Sequence, residues 1–179
     1  MPRRILVIIP VLNEVKNISP IVKKLRKNNK FDILFIDDNS KDGTASLVRE
    51  YARSDRRIRL INRLGRSGLS SAIKEGCLCA TGEIISVIDA DGQHDPSHIE
   101  FALQKIDYKK ADIVIGSRFM EGSIIKGLSK KREGSSSIAN LLARMSLYGS
   151  YNHLTDYMSG FIVFKRRICI KFIEKIDVN

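Results

Sequence analysis

Two aspartates one residue apart, Asp89 and Asp91, are the side chains of this sequence best suited to chemistry. They follow the apolar run Ile84–Ile88, which predicts a buried strand. Carboxylates beside a hydrophobic core are costly unless a positive group meets them. A hard divalent cation prefers oxygen ligands and bridges to phosphate groups. The pair therefore indicates a site for a metal and a nucleotide diphosphate, and a polar turn that closes a strand is the alternative.

Gln93 and His94 extend this motif toward the next helix. The main-chain carbonyl of Gln93, together with Asp91 and two phosphate oxygens, would suit an octahedral cation. We interpret His94 as a loop or core histidine, because a hard ion prefers oxygen to imidazole nitrogen.

A second polar segment, Pro10–Glu14, follows the first predicted strand and precedes a helix. Its Asn13 and Glu14 are of types that cap a helix N-terminus. They are equally suited to hydrogen-bond the base or the ribose of a nucleotide. The segment alone does not decide between these two interpretations.

Two adjacent acids, Asp37 and Asp38, follow the second predicted strand. Neighbouring carboxylates repel each other unless hydrogen bonds hold them. Because their oxygens can accept from base N–H or ribose hydroxyl groups, we favour a binding role for this segment. Ser40 and Asp42 are candidate caps for the helix that starts near Thr44.

A fourth segment, Arg63–Leu69, combines glycines with arginines just before a predicted helix. Open backbone N–H groups at a helix N-terminus bind anions, and Arg63 and Arg66 add positive charge. Taken alone, this short motif is not specific for phosphate.

The net charge of +11 on 179 residues predicts an anionic partner. Nucleic acid is not favoured, because aromatic residues make up only 7% of the chain and no basic stripe is interleaved with them. A membrane surface and a phosphorylated substrate are the partners that fit, and solubility alone is the alternative.

The run Ile5–Ile9 is too short for a membrane span and lacks the cleavage site of a signal peptide, so we expect a cytoplasmic protein. We expect reduced, packed thiols at Cys77, Cys79 and Cys169.

Strand and helix patterns alternate along the chain, which predicts an α/β fold with a mostly parallel open sheet in a single domain. Helices should cover both faces of the sheet. Ligands bind such sheets at the carboxyl ends of the strands, so the polar segments should converge on one edge. The predicted strands are 5–9, 33–36, 58–61, 84–88, 113–115 and 161–164. The predicted helices are 18–25, 44–53, 68–80, 96–106, 135–148 and a last one to about 176, and 121–132 is expected to be a mobile loop.

Taken in their order along the chain, the polar motifs resemble those of family 2 glycosyltransferases with the GT-A (Rossmann-like) fold. They are most similar to the polyprenyl-phosphate (dolichyl-phosphate) mannosyltransferases. The resemblance covers nearly the whole chain, so residues 1–179 are interpreted as a catalytic domain. It rests on Pro10 with Asn13-Glu14, Asp37-Asp38 with Ser40 and Asp42-Gly43-Thr44, Gly68-Leu69, Asp89-Ala90-Asp91 with Gln93-His94 and Pro96, Gly116-Ser117-Arg118, and Asp156 with Ser159-Gly160-Phe161.

The resemblance implies a role for each matching residue. A Mg²⁺ or Mn²⁺ ion on the pyrophosphate of GDP would be held by Asp89, Asp91 and Gln93. The donor nucleotide would be lined by Pro10, Leu12, Asn13, Glu14, Asp37, Asp38, Asp42, Arg66 and Asp89. The acceptor phosphate would be met by Arg118, Arg132 and Ser135. The catalytic candidates are Asp91, Arg118 and Arg132.

The reaction implied by the resemblance is inverting transfer of a hexose, mannose from GDP-mannose, to a polyprenyl or dolichyl monophosphate. The lipid tail of such an acceptor stays in the bilayer, so the implied location is peripheral, at the cytoplasmic face of a membrane. A separate membrane-anchoring subunit is a further implied partner. The basic loop 126–132 and the apolar face of helix 135–148, formed by Ile138, Leu141, Leu142 and Met145, suit docking there. A solvated loop and a core-packed helix are the alternatives.

Departures from the family's pattern leave other functions open. Ile162 stands where members usually have Arg, Leu12 replaces the usual Tyr, and Arg66 replaces Lys. The chain ends at Asn179, earlier than is usual in the family, so we expect a form truncated at its C-terminus. One alternative is a family 2 enzyme that uses UDP-glucose or a hydroxyl acceptor. The other is a non-catalytic remnant that binds a nucleotide or a membrane.

Overall fold

The computed structural model describes residues 4–65, 68–117, 156 and 159–172 of the chain. The strands in these residues are β1 (Ile5–Val11), β2 (Phe31–Asp37), β3 (Ile58–Asn62), β4 (Ile84–Val87), β5 (Ile113–Ile115) and β6 (Ile162–Lys165). The helices are α1 (Val15–Leu25), α2 (Thr44–Ser54), α3 (Leu69–Leu78), α4 (Ser97–Tyr108) and α5 (Arg166–Phe172). The predicted loop 121–132 and helix 135–148 lie outside the described residues.

The described strands form one sheet in the order β3-β2-β1-β4-β6-β5. The first four strands of the chain pair in parallel, with β1 between β2 and β4. β6 runs antiparallel to both of its neighbours, β4 and β5. The predicted α/β fold with a mostly parallel sheet is therefore confirmed. The antiparallel β6 brings the start of that strand to the carboxyl end of β4, where Ile162 pairs with Val87.

Helices cover both faces of the sheet, which explains why its strands are continuous apolar runs. Along β1, Val7 and Ile9 belong to one hydrophobic cluster, and Leu6 and Ile8 belong to the other. The first cluster contains the buried side chains of α1, α2 and α4, including Ile18, Val22, Val48, Ile99 and Ile106. The second contains Ala72, Cys77 and Cys169 from α3 and α5. The described helices thus pack against both faces of the sheet, and the polar loops lie at the ends of its strands.

Helix α3 differs from its prediction at both ends. It begins at Leu69, whose side chain is 56% exposed, and not at Gly68. It ends at Leu78, with Cys79 in the cap position, two residues before the predicted end. A Cβ atom on Gly82 would lie 2.7 Å from the carbonyl oxygen of Arg4. Glycine at this position therefore serves a close backbone approach to the start of β1.

The cysteines bear out a further expectation. Cys77, Cys79 and Cys169 are free thiols, and the first and last of them are buried. Burial raises the pKa of the Cys77 thiol, so it stays protonated and unreactive at neutral pH. In the part of the chain that the structure describes, no helix combines the length and the apolar character that crossing a membrane requires.

Candidate active site

The loops that follow β1 and β2 are locked together at the carboxyl edge of the sheet. Three consecutive main-chain N–H groups at the start of α1 donate to side chains of the loop after β2. The distances are 2.8 Å from Asn13 N to Ser40 Oγ, 2.9 Å from Glu14 N to Thr44 Oγ1, and 3.0 Å from Val15 N to Asp42 Oδ2. The first N–H groups of a helix have no partner within the helix, so this loop supplies partners that α1 needs.

The sequence predicted that Asp42 caps α2 alone. In the structure its carboxylate accepts hydrogen bonds from the start of both α1 and α2. Its Oδ1 accepts from the Thr44 N–H at 3.0 Å and from the Thr44 hydroxyl at 2.6 Å, while Oδ2 serves α1. The hydroxyl bond is the main reason that the pKa of Asp42 lies below its ordinary value. Ser40 likewise accepts from Asn13 and does not cap α2, whose N-cap position is Gly43.

The side chains of the segment after β1 do not cap α1. Glu14 occupies the N-cap position without a side-chain cap bond, and its Oε2 accepts from Asn17 Nδ2 at 2.5 Å. Asn13 Oδ1 accepts from the Lys41 N–H at 2.9 Å across the two loops. Leu12 is 56% exposed and Pro10 is half-buried. The capping interpretation is therefore wrong for these side chains, and a nucleotide-facing role stays a prediction.

The two adjacent acids after β2 have different surroundings. Asp37 is fully buried, and its carboxylate accepts from the Ser40 N–H at 3.0 Å, from the Ser40 hydroxyl and from Asn62 Nδ2 at 2.5 Å. Asp38 is half-buried, and its Oδ2 accepts from the Gly68 N–H at 2.8 Å. Asp37 therefore holds the loop from inside, while Asp38 keeps part of its side chain exposed to solvent, and its binding role stays a prediction.

Arg63 orients Asp38 and is not the exposed anion-binding charge that the sequence predicted. Its side chain is only 2% exposed, and its Nε lies 2.6 Å from Asp38 Oδ1. The other guanidinium nitrogens donate to Ser71 Oγ at 2.6 Å and to the Gly68 carbonyl at 3.0 Å. A buried arginine must be paired, and here a single group joins the end of β3, the start of α3 and the acid after β2. Sequence reasoning missed this role, because one sequence does not show which acid an arginine meets.

The aspartate pair that opened the sequence argument lies after β4, next to β1 in the sheet. Asp89 is half-buried, Ala90 is 4% exposed and Asp91 is exposed to solvent. Asp91 Oδ1 accepts from the Gln93 N–H at 3.0 Å, which bends the loop back over the strand end. Gly92 at the bend has a φ of +77°, a conformation that glycine adopts at little cost.

The donor atoms of this loop fit a hard divalent cation. Two carboxylates and the oxygens of Gln93 are of the type that Mg²⁺ and Mn²⁺ prefer. The described residues contain no group of three or more His, Cys, Asp or Glu side chains arranged for a metal. A cation at Asp89 and Asp91 would therefore take its other ligands from Gln93, from water and from phosphate groups.

Phe161 packs beneath the aspartate loop. Its ring is 3% exposed, and its centroid lies 5.5 Å from that of His94. Its carbonyl oxygen accepts from the Gly116 N–H at 2.9 Å, so the segment after β5 also reaches this edge. His94 is thus a packing residue, as predicted. The predicted convergence of the polar segments on one edge is confirmed for their described parts.

Four predicted site residues lie outside the described part of the chain. They are Arg66, Arg118, Arg132 and Ser135. Their assignments to the donor and the acceptor stay predictions.

The chain is similar to known proteins over most of its length. The sequence profile described as Glycosyl transferase family 2 matches residues 6–172. A polyprenol monophosphomannose synthase from Mycolicibacterium smegmatis is 33% identical over 99% of the chain and 66% of its own length. A dolichyl-phosphate beta-glucosyltransferase from Trichomonas vaginalis is 34% identical over 65% of the chain and 39% of its own length. The chain spans less than two thirds of each of these relatives.

A solved structure supports the fold. The mannosyltransferase from Pyrobaculum calidifontis, in complex with GDP-Man and Mn²⁺, superimposes with a TM-score of 0.65. It is 21% identical, and the match covers 96% of this chain and 47% of that one. At that identity the likeness establishes the GT-A type of architecture and leaves the chemistry to the residues themselves.

Proposed function

Because the chain belongs to glycosyl transferase family 2, we propose that it transfers a hexose, with inversion, from a nucleotide sugar to a polyprenyl or dolichyl monophosphate. The proposed donor is GDP-mannose, in keeping with the relative that is named for mannose transfer to polyprenol. The observation that carries the proposal is the placement of Asp89 and Asp91 on the same sheet edge as Asp38. Carboxylates at these two places can serve the diphosphate and the nucleoside of a nucleotide sugar.

The diphosphate end of the donor is assigned to the loop after β4. Asp89, Asp91 and Gln93 would hold a Mg²⁺ or Mn²⁺ ion. When bound, such an ion stabilises the negative charge that grows on the leaving diphosphate. The bend at Gly92 and the hydrogen bond from the Gln93 N–H restrict the orientation of the Asp91 carboxylate, which supports this assignment.

The nucleoside end of the donor is assigned to the loops after β1 and β2. Asp38 offers a carboxylate that accepts hydrogen bonds from ribose hydroxyl or base N–H groups. The side chains of Pro10, Leu12, Asn13 and Glu14 would line the neighbouring part of the nucleoside site. Asp37 and Asp42 act one step behind them, because their bonds fix the two loops against each other. Arg66 is proposed as a further phosphate contact.

The acceptor phosphate is assigned to Arg118, Arg132 and Ser135. A phosphate monoester is already ionised at neutral pH, so its oxygen can attack the anomeric carbon without a strong general base. Arginine meets a phosphate with two parallel hydrogen bonds, which fixes the direction of attack. Because the lipid tail stays in the bilayer, we place the protein at the cytoplasmic face of a membrane, where a membrane-anchoring subunit would be an additional partner.

The metal assignment is tested by Asp91→Ala. We expect the variant to fold normally, because Asp91 is exposed, and to lose the gain in GDP affinity that Mn²⁺ confers on the parent protein. Titration calorimetry with GDP, with and without Mn²⁺, measures this directly. Glu50→Ala removes an exposed acid from α2, away from the edge, and is the matched control. Equal GDP affinity in the parent and Asp91→Ala under both conditions would show that no metal acts through this residue.

The reaction itself is tested by supplying GDP-mannose or UDP-glucose together with a polyprenyl phosphate in detergent micelles. We expect mannosyl-phospholipid with inverted anomeric configuration. Preference for UDP-glucose would establish the second candidate, a glucosyltransferase, which the relative named for glucose transfer favours. An acceptor-only carboxylate such as Asp38 can meet N–H groups of guanine and of uracil alike. Nucleotide binding without any transfer would instead support a non-catalytic remnant.

A further inference from the structure

Gly160, two residues before β6, lies directly against the carboxylate of Asp89. A Cβ atom built on Gly160 would overlap Asp89 Oδ2 and would lie 2.9 Å from Oδ1. Real Cβ atoms essentially never approach so closely. The backbone of Gly160 is not in the left-handed region, so its conformation does not demand glycine. The missing side chain is therefore needed for space alone.

We propose that Gly160 is a positioning residue, whose lack of a side chain lets the chain before β6 seat the Asp89 carboxylate. This inference rests on the proposed function, in which Asp89 is a ligand of the metal on the donor diphosphate. Gly160 itself touches neither the donor nor the metal in this assignment. It acts by fixing where one carboxylate can be.

The backbone at Gly160 cannot retreat to make room, because its neighbours hold it in place. Phe161 is buried, and its carbonyl oxygen accepts from the Gly116 N–H at 2.9 Å. The Phe161 N–H donates to Ser159 Oγ at 3.1 Å, on the other side of the glycine. β6 then continues as a paired strand between β4 and β5. Any side chain at position 160 must therefore push against Asp89.

The contact partner at Gly160 differs in kind from the partners of other glycines. Here it is the end of a side chain, which can rotate away at small cost to the fold. Gly76 in α3 instead lies against Ile8, whose side-chain atoms would be 2.8–3.1 Å from an added Cβ. Ile8 is fully buried in the core. A methyl group at 160 should therefore disturb the site, whereas one at 76 should disturb the core.

Gly160→Ala and the control Gly76→Ala separate these effects. The free Mn²⁺ signal in electron paramagnetic resonance, recorded with GDP present, gives the Mn²⁺ affinity of each variant. Thermal unfolding in the presence of a chelator gives the stability without metal. For Gly160→Ala we expect Mn²⁺ affinity to fall by about 10–100-fold, as is common when a group that orients a ligand is disturbed, with little change in the unfolding midpoint. For Gly76→Ala we expect a lowered midpoint and unchanged Mn²⁺ affinity in the folded protein.

Asp89→Ala and the double variant Asp89→Ala/Gly160→Ala complete the test. If Gly160 acts through the carboxylate, adding Gly160→Ala to Asp89→Ala costs no further Mn²⁺ affinity. A further loss in the double variant, or wild-type affinity in Gly160→Ala while Asp89→Ala is impaired, would overturn the positioning role and leave the metal assignment intact. Wild-type Mn²⁺ affinity in Asp89→Ala would overturn the metal assignment, and the positioning role with it.

Discussion

Asp38 reaches the carboxyl edge of the sheet with both carboxylate oxygens already hydrogen-bonded inside the protein. Arg63 donates to one oxygen and the Gly68 N–H to the other. Asp91 is similarly oriented by the Gln93 N–H. A group that is held in place before binding loses little freedom when a ligand arrives. The affinity for a nucleotide should therefore depend on residues that never touch it, and Arg63 is the clearest of these.

Arg63→Lys tests this dependence. Lysine keeps the positive charge beside Asp38 but cannot also reach Ser71 and the Gly68 carbonyl with a planar fork of donors. We expect the dissociation constant for GDP to rise by about tenfold, which corresponds to about 1.4 kcal/mol. In the transfer assay KM for the donor should rise more than kcat falls, because Arg63 acts on binding of the nucleoside end.

The matched control for this prediction is Arg57→Lys. Arg57 is a half-buried arginine that also grips one aspartate, Asp55, with Nε and Nη2 at 3.1 and 2.8 Å. It precedes β3, at the sheet edge opposite the candidate site. For Arg57→Lys we expect a loss of folding stability similar to that of Arg63→Lys, with unchanged GDP affinity. If both variants weaken GDP binding equally, Arg63 has no special role and the effect is one of general stability.

At the scale of secondary-structure elements, Asp55 joins three of them at the amino edge of the sheet. It follows α2, and its carboxylate pairs with Arg57 just before β3 and with Arg26 just after α1 at 3.1 Å. The Arg57 guanidinium, which donates to Asp55, is the main reason that the pKa of Asp55 falls from 3.8 to about 2. The side chain of Asp55 is only 9% exposed, so solvent screens these pairs weakly.

The lowered pKa of Asp55 makes folding stability depend on pH in a stated direction. A carboxyl group with a depressed pKa in the folded state stabilises the protein above its unfolded pKa, near 3.8, and this contribution is lost as the pH falls toward about 2. We expect Asp55→Asn to lower the free energy of unfolding by about 2 kcal/mol at pH 6, from a shift of nearly two pKa units. The difference should shrink as the pH falls toward about 2 and should vanish below it, where the aspartate is protonated in both states.

Urea unfolding of the parent and of Asp55→Asn at several pH values measures this difference. Glu50→Asn, at an exposed position on α2, serves as the control for removing one acid close to Asp55 in the chain. A difference for Asp55→Asn that stays constant from pH 6 to pH 2 would mean that the ion pairs contribute nothing beyond packing.

At the scale of the whole molecule, the sequence predicted which segments form strands and helices better than it predicted which strands pair in the sheet. The apolar runs of β1, β2 and β4 are buried on both faces of the sheet, which is why their hydrophobic pattern identified them as strands. The buried positions of α1, Ile18, Ile21, Val22 and Leu25, followed from helical spacing. The insertion of β6 between β4 and β5 could not be read in this way, since a hydrophobic pattern identifies a strand and not its partner.

The candidate site shows the same division. The sequence identified the polar segments, because they directly follow buried strands and ligands bind open α/β sheets at the carboxyl ends of the strands. The sequence could not tell that Asp37 is buried while Asp38 pairs with Arg63. The two acids are consecutive, and only the direction of the backbone after β2 decides which side chain points inward. The contact of Gly160 with Asp89 was also beyond reach, since it joins residues that are distant in the chain and adjacent only through β6.

The net charge of +11 gives a prediction for the molecule as a whole. If the protein works on a lipid acceptor at a membrane surface, it should sediment with vesicles that contain anionic lipid more than with purely zwitterionic ones. The difference should disappear at high ionic strength, because the screening length falls from about 10 Å at 0.1 M salt to about 3 Å at 1 M.

Two charge-matched variants locate the docking surface. One replaces Lys126, Lys130 and Lys131 in the basic segment by glutamine, and the other replaces Lys23, Lys24 and Lys27, which are exposed on and just after α1. Both lose the same charge, and Arg132 is left in place because it is assigned to the acceptor phosphate. We expect only the first variant to lose vesicle binding. Equal losses would mean that net charge alone attracts the protein to lipid, and the proposed docking through 126–132 would be wrong.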